Sequence, residues 1–189
     1  MAILHYPVYN KNREIIATCV SSYDIHDISR TARCYGVKRF YVVNPMETQQ
    51  DLARSISMHW LEGYGAHYNP TRKEALKTLK IVTDLAAAIA DISAQAGTRP
   101  KLVVTSSRPH DVAISYEHLQ QLMALQSETF LILFGTGWGL SSDIIKQADY
   151  YLEPIMDKSD YNHLSVRSAS AVILDRLLGN RNNGGRENA

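Results

Sequence analysis

The segment of this 189-residue sequence richest in chemical possibility runs from Thr129 to Met156, TFLILFGTGWGLSSDIIKQADYYLEPIM. An apolar run ends at Phe134, glycines follow at alternate positions (Gly135, Gly137, Gly139), and Ser141 or Ser142 stands where it can cap a helix beginning near Asp143. Glycine tolerates positive φ and lets a backbone come close to a ligand. In open α/β sheets, ligands settle in crevices at the carboxyl ends of strands. A ligand site built largely from backbone is therefore predicted here. Leu152, Pro154 and Ile155 follow after another short apolar run, and Asn162, His163, Leu164 and Ser165 lead into the last helix.

Three ligands compete for the glycine loop. A dinucleotide would use GTGWG as its phosphate turn and Glu153 as the ribose acid, but that fingerprint normally opens the first βαβ unit. Here only about fifty residues remain after it, too few for the rest of such a half. A nucleoside triphosphate loop requires a Lys-Ser/Thr pair, which is absent. The third is a sulfonium nucleotide, S-adenosylmethionine, whose adenine needs an apolar slot edged by backbone N–H and C=O.

The elements that must position these residues alternate between strand and helix. Strands are predicted at Ile15–Val20, Phe40–Val43, Leu102–Thr105 and Phe130–Phe134, with shorter ones at Lys80–Thr83 and Tyr150–Leu152. Their near-continuous apolar character suits a parallel sheet covered on both faces. Helical spacing joins Ile25, Ile28, Ala32 and Tyr35, with Asp24 as N-cap and Gly36 as stop. Further helices are predicted through Leu52–Ile56–Trp60, Leu85–Ile89–Ile92, Leu119–Leu122–Met123 and Val166–Ala169–Ile173–Leu177. The expected fold class is α/β, a mostly parallel sheet flanked by helices on both faces. Residues 1–179 form a single domain on this reading, and 180–189, NRNNGGRENA, a disordered polar tail.

A hydrophobic fraction of 45% fits one globular core, and no apolar run reaches the roughly 20 residues that span a bilayer. The N-terminus has no basic leader before an apolar stretch, so no secretory signal is expected. Cys19 and Cys34, the two cysteines, make neither a disulfide framework nor a zinc quartet; a reducing cytoplasm, buried or semi-buried thiols and no metal are expected. The net charge of +1 does not announce a nucleic-acid binder. The basic residues do cluster, at Arg30, Arg33, Lys38 and Arg39 and again at Arg72, Lys73, Lys77 and Lys80.

Read together, FGTGWGLS, ADYYLEPIM and YNHLSVRSASAVILDRL resemble the second and third motifs of the SPOUT methyltransferases. The stretch Asp24–Pro45, DIHDISRTARCYGVKRFYVVNP, resembles the first motif of their SpoU branch. The whole chain is most similar to a small stand-alone bacterial family related to the C-terminal part of tRNA guanine-N1 methyltransferases. The resemblance implies S-adenosylmethionine-dependent methylation of tRNA or rRNA at a base nitrogen or a ribose 2′-hydroxyl. It also implies a deep C-terminal trefoil knot and an obligate homodimer with each active site at the subunit interface. The knot would be formed by the Thr105–Pro109 loop, the glycine loop and the Asn162–Ser165 loop. The cofactor residues implied are Thr105, Ser106, Leu133, Gly135, Thr136, Gly137, Gly139, Leu152, Pro154, Ile155, Leu164 and Ser165.

For catalysis the resemblance places Arg30 near the acceptor and Asn162 as its orienting amide. His163 is a candidate general base, because imidazole titrates near neutrality. Arg33, Arg39, Arg72, Lys73 and Arg167 are candidate RNA contacts, with Tyr64, His67 and Tyr68 available for stacking on bases. The sequence departs from the SpoU pattern in three places. Trp138 and glycines stand where motif two has a glutamate, two residues separate Asn162 from Ser165, and Asp24 replaces an asparagine. These departures weigh against ribose as the sole acceptor. A non-catalytic knotted module that binds the cofactor or RNA is the other reading.

Overall fold

The computed structural model describes residues 1–125, 128–156 and 161–180. Seven strands form one sheet in which every neighbouring pair is parallel. They are β1 (Ala2–Leu4), β4 (Phe40–Val43), β5 (Leu79–Val82), β6 (Lys101–Val104), β7 (Ala113–Ile114), β8 (Phe130–Gly135) and β9 (Tyr150–Leu152), in the order β5-β4-β1-β8-β6-β9-β7. A separate antiparallel pair, β2 (Val8–Tyr9) and β3 (Ile15–Ile16), follows β1. This bears out the predicted sheet and most of its strands.

One strand expectation fails. The Ile15–Val20 run is not a strand of the main sheet: it contributes only β3, where Ile15 is exposed. An interior strand that the sequence reading did not include is β1, three fully buried residues paired with β4 on one side and β8 on the other. So short a segment carries no periodicity to read.

Strand alternation sorts the core into two layers. Ile3, Phe40, Val42, Val103, Ile132 and Phe134 face one layer, packed with α1 (Ser22–Cys34), α2 (Glu47–Leu61), α4 (Pro70–Leu76), α6 (Tyr116–Ala124) and α8 (Val166–Leu178). Leu4, Tyr41, Val43, Leu102, Leu131 and Leu133 face the other, with α5 (Leu85–Ala96) and α7 (Ser142–Ile145). A short α3 (Tyr64–Tyr68) precedes α4. Because the strands are parallel and in register, the carboxyl ends of β1, β8, β6 and β9 emerge along one edge, and the loops that follow them meet there.

The cap of α1 differs from the expectation. The Ser21 side chain accepts from the Tyr23 N–H, and Asp24 lies inside the first turn. Gly36, at φ +70°, does take the left-handed conformation that ends this helix.

Candidate functional site

At the carboxyl edge of the sheet lies a cavity of about 1040 Å³. Its lining brings together the three stretches that the sequence separates: the Thr105–Pro109 loop after β6, Phe134–Leu140 after β8, and Asn162–Ser165 before α8, with Leu152 and Ile155 closing one wall. The loops are tied to each other. The Asn162 side-chain amide donates to the Ser107 carbonyl at 2.7 Å, joining the last loop to the first. Thr105 donates through Oγ1 to the Leu133 carbonyl at 2.9 Å, and Ser106 Oγ accepts from the Arg108 N–H at 3.0 Å. Ser165 caps α8 by accepting from the Ser168 N–H.

Beneath the glycine loop runs a hydrogen-bond chain whose direction is determined by its end. Thr136 Oγ1 donates to the Leu4 carbonyl, which can only accept. Its oxygen therefore receives the Thr18 hydroxyl proton across 2.6 Å, and Thr18 in turn receives the His5 Nδ1–H across 2.9 Å. His5 is thus held as the Nδ1–H tautomer, and its buried Nε2, an acceptor, has no partner among the described residues. Burial pushes the imidazole down to about 4, so the ring is neutral at physiological pH. His5, Thr18 and Thr136 all line the cavity. The sequence analysis found only Thr136 of these three, since nothing in the spacing of His5 and Thr18 marks them as partners.

The expected positive φ is found at Gly137 (+58°) and Gly139 (+102°), and close packing within the protein adds a second requirement for glycine. A Cβ on Gly135 would sit 2.9 Å from the Leu140 backbone nitrogen, and one on Gly137 would sit 2.9 Å from the Tyr9 carbonyl. Both are required by close packing within the protein. At Gly139 a Cβ would meet nothing within 4 Å, and there it is the φ of +102° that calls for glycine.

Of the predicted cofactor residues, Thr105, Ser106, Gly135, Thr136, Gly137, Gly139, Leu152, Ile155, Leu164 and Ser165 line the cavity. Leu133 does not, because alternation along β8 turns it into the layer of α5 and α7, where it is fully buried. Pro154 is also buried and lies outside the lining. Asn162 and His163 line the mouth, His163 exposed and edge-on to Tyr161 at 5.7 Å.

Arg30 is exposed on α1 outside the cavity of its own chain and lines instead a smaller groove with Arg33 and Arg72. Arg167 is not a free cation: it pairs with Asp24 at 3.6 Å and Asp27 at 3.4 Å and lies over the Tyr23 ring. Arg39 precedes β4, at the amino edge of the sheet, opposite the cavity. Asp24 is the one carboxylate among the described lining residues, and burial holds it above the usual carboxylate range despite Arg167. Both thiols are exposed rather than buried, Cys19 beside the cavity and Cys34 at the last residue of α1.

A sequence model of the SAM-dependent RNA methyltransferase family matches residues 1–179. The chain belongs to that family. It is 40% identical over 178 residues to an "uncharacterized protein" of Aquifex aeolicus, an alignment covering 94% of this chain and 87% of that one. It is 38% identical over 178 residues to a tRNA (guanine-N(1)-)-methyltransferase of Oleidesulfovibrio alaskensis, again covering 94% of this chain but only 41% of that longer protein. The solved SpoU methyltransferase AviRb of Streptomyces viridochromogenes, in complex with AdoMet, matches with a TM-score of 0.56 and 18% identity, over 97% of this chain and 61% of that one. That likeness concerns the fold.

The residues of this RNA methyltransferase fit S-adenosylmethionine, the cofactor of its family. Leu152, Ile155, Leu164 and Val166 supply apolar walls for a purine, while the loop backbones supply donors and acceptors at their edges. Arg13 and Arg108 also line the cavity and can meet a carboxylate. Among the described residues, no helix of the methyltransferase is long and apolar enough to cross a membrane.

Proposed function

We propose that the chain methylates a nucleotide of tRNA or rRNA in the cytoplasm, at a base nitrogen or a ribose 2′-hydroxyl. The knotted C-terminal region would hold the cofactor, and a homodimer would form the active unit. The observation that carries this reading is the convergence of three sequence-distant loops on one cavity of about 1040 Å³. The Asn162–Ser107 bond between two of those loops supports the knot.

The bound cofactor supplies an electrophilic methyl on its sulfonium; the protein aligns the acceptor, excludes water and takes a proton. Thr105, Ser106, the glycine loop, Leu152, Ile155, Leu164 and Ser165 would hold the cofactor. Asn162 ties the last loop to the first through Ser107. Two groups at the cavity can take the proton, His163 and Asp24, and His163→Gln and Asp24→Asn distinguish them: the base is the one whose substitution lowers kcat with cofactor affinity unchanged.

The homodimer completes the site. Trp138 and Leu164 are exposed on the cavity lining, and Tyr23, Met156 and Tyr161 are exposed next to lining residues in the chain, an apolar rim suited to a second copy. Arg30, outside its own cavity, would serve the partner's. Calorimetry with S-adenosylmethionine followed by tritiated-methyl transfer to total bacterial RNA tests the activity. Arg30→Ala is expected to abolish transfer and leave cofactor affinity unchanged. Mixing Arg30→Ala subunits with subunits blocked by Gly139→Val should restore transfer if the arginine acts across the interface; no recovery would place it in cis. One observation favours the second reading, a non-catalytic module: within one chain the cavity lacks Arg30. Cofactor binding without transfer to any RNA would establish that module.

A further inference from the structure

Away from the cavity, α1 and α4 enclose a groove of about 330 Å³ lined by Arg30, Arg33, Cys34, Asn69, Thr71, Arg72 and Ala75. Three guanidiniums line it and no carboxylate does. Elsewhere Arg54 pairs with Asp51, Arg99 with Asp149, and Arg167 with Asp24 and Asp27, while Arg13 and Arg176 lie over tyrosine rings. No ion pair among the described residues involves Arg30, Arg33 or Arg72. Glu74 feels the charge of Arg33, but its hydrogen bond goes to Lys77.

Arg72 is held in place by the Trp60 ring, 4.3 Å below its guanidinium, and its buried Nε has no protein partner. The local field is positive enough to reach a neighbour: burial first, then Arg72 and Arg30, hold the His26 imidazole below its usual value. A chain of net charge +1 that gathers three uncompensated guanidiniums in one groove has built a site for a polyanion.

The groove adjoins an aromatic platform. Tyr64 and Tyr68, on the helix immediately before the groove residue Asn69, are stacked at 5.9 Å with 22° between their planes and are 74% and 72% exposed. Large exposed rings held parallel offer a sequence-tolerant surface for an unpaired base, and arginines beside them take the phosphates. Arg33 lies roughly 14 Å along α1 from Asp24 at the cavity, at 1.5 Å per residue.

We infer that the α1–α4 groove and the Tyr64–Tyr68 pair form a docking site for a single-stranded RNA segment flanking the methylated nucleotide. Arg33 and Arg72 receive its phosphates, and the tyrosines stack one of its bases. If the chain methylates RNA as proposed above, its substrate must carry an unpaired stretch beside the target.

Fluorescence anisotropy of a labelled ten-nucleotide single-stranded RNA of mixed sequence, and of a hairpin duplex of the same composition, tests this on the full chain. Wild-type protein should prefer the single strand. Arg33→Glu and the double substitution Tyr64→Ser/Tyr68→Ser change exposed side chains and spare the Trp60 packing. Each should weaken single-strand binding about tenfold, the scale of one lost stacking contact. In the transfer assay on total RNA, KM should rise similarly with kcat and cofactor affinity unchanged. Wild-type affinity for the single strand in both variants would overturn the inference, as would equal binding of the duplex. Dependence on Arg33 without the tyrosines would leave only an anion site, also against it. Absence of transfer by the wild-type protein would instead refute the activity itself.

Discussion

The cavity at the carboxyl edge and the groove between α1 and α4 recognise by different means. The cavity is made by loop backbones whose shape is fixed from within: Gly135 and Gly137 are pressed against Leu140 and Tyr9, and Thr136 is pinned through Thr18 to His5. The groove is made by side chains on helix surfaces, with three guanidiniums lacking carboxylate partners. Backbone recognition suits a small cofactor that never varies. A charged, adaptable surface suits a large polyanion bound in part through its phosphates. The two sites should therefore fail independently when mutated.

The sharpest way to break this comparison is Gly137→Val. Its φ of +58° and a Cβ 2.9 Å from the Tyr9 carbonyl combine backbone strain with a clash. Together these should cost about 3 kcal/mol, or roughly 100-fold in S-adenosylmethionine affinity by calorimetry. Single-stranded RNA binding should persist; a parallel loss of both would show that the two sites are one.

Next in size is the acid response of the cavity floor. His5 is pushed from the ordinary 6.5 down to about 4 by burial, so between those values the unfolded chain binds the proton and the folded chain does not. Stability from this group is full above about pH 6.5, falls as the pH drops, and is lost at about 4, a total of roughly 3 kcal/mol. Denaturant melts of wild type and His5→Gln should show the substituted chain losing less stability over that window. Identical slopes would mean that His5 is more accessible than its burial indicates.

A smaller effect sharpens the other side. Arg33→Gln should reduce the salt dependence of single-stranded RNA binding by about 0.7 in the log–log slope, one phosphate contact, with no change in cofactor affinity. Smallest is Ser165→Ala, which removes the α8 cap and should cost about 1 kcal/mol of stability by thermal unfolding.

Much of this was legible in the sequence. The glycine loop, the apolar wall at Leu152 and Ile155, and the loop before α8 were read as one site from residue type and order, and all line a single cavity. The layer that Leu133 faces is not legible in the sequence, because an unbroken apolar run hides which residues face which side, and alternation along β8 turns it away from the cavity. That Arg167 pairs with Asp24 and Asp27 leaves no trace in the sequence, because those carboxylates are about 140 positions away in the chain. The predicted tail 180–189 lies, beyond Asn180, outside the described residues.

The sequence alone determined most of the buried strands, where the backbone must take unusual conformations, and which family the motifs resemble, since these depend on local residue type and spacing. Tertiary structure alone decided that β1 lies inside the sheet between β4 and β8, that His5 ends a directed hydrogen-bond chain, and which arginines have no ion pair among the described residues. Each of these depends on partners brought together from distant parts of the chain, and pairing across such distances leaves no periodic trace in the order of residues.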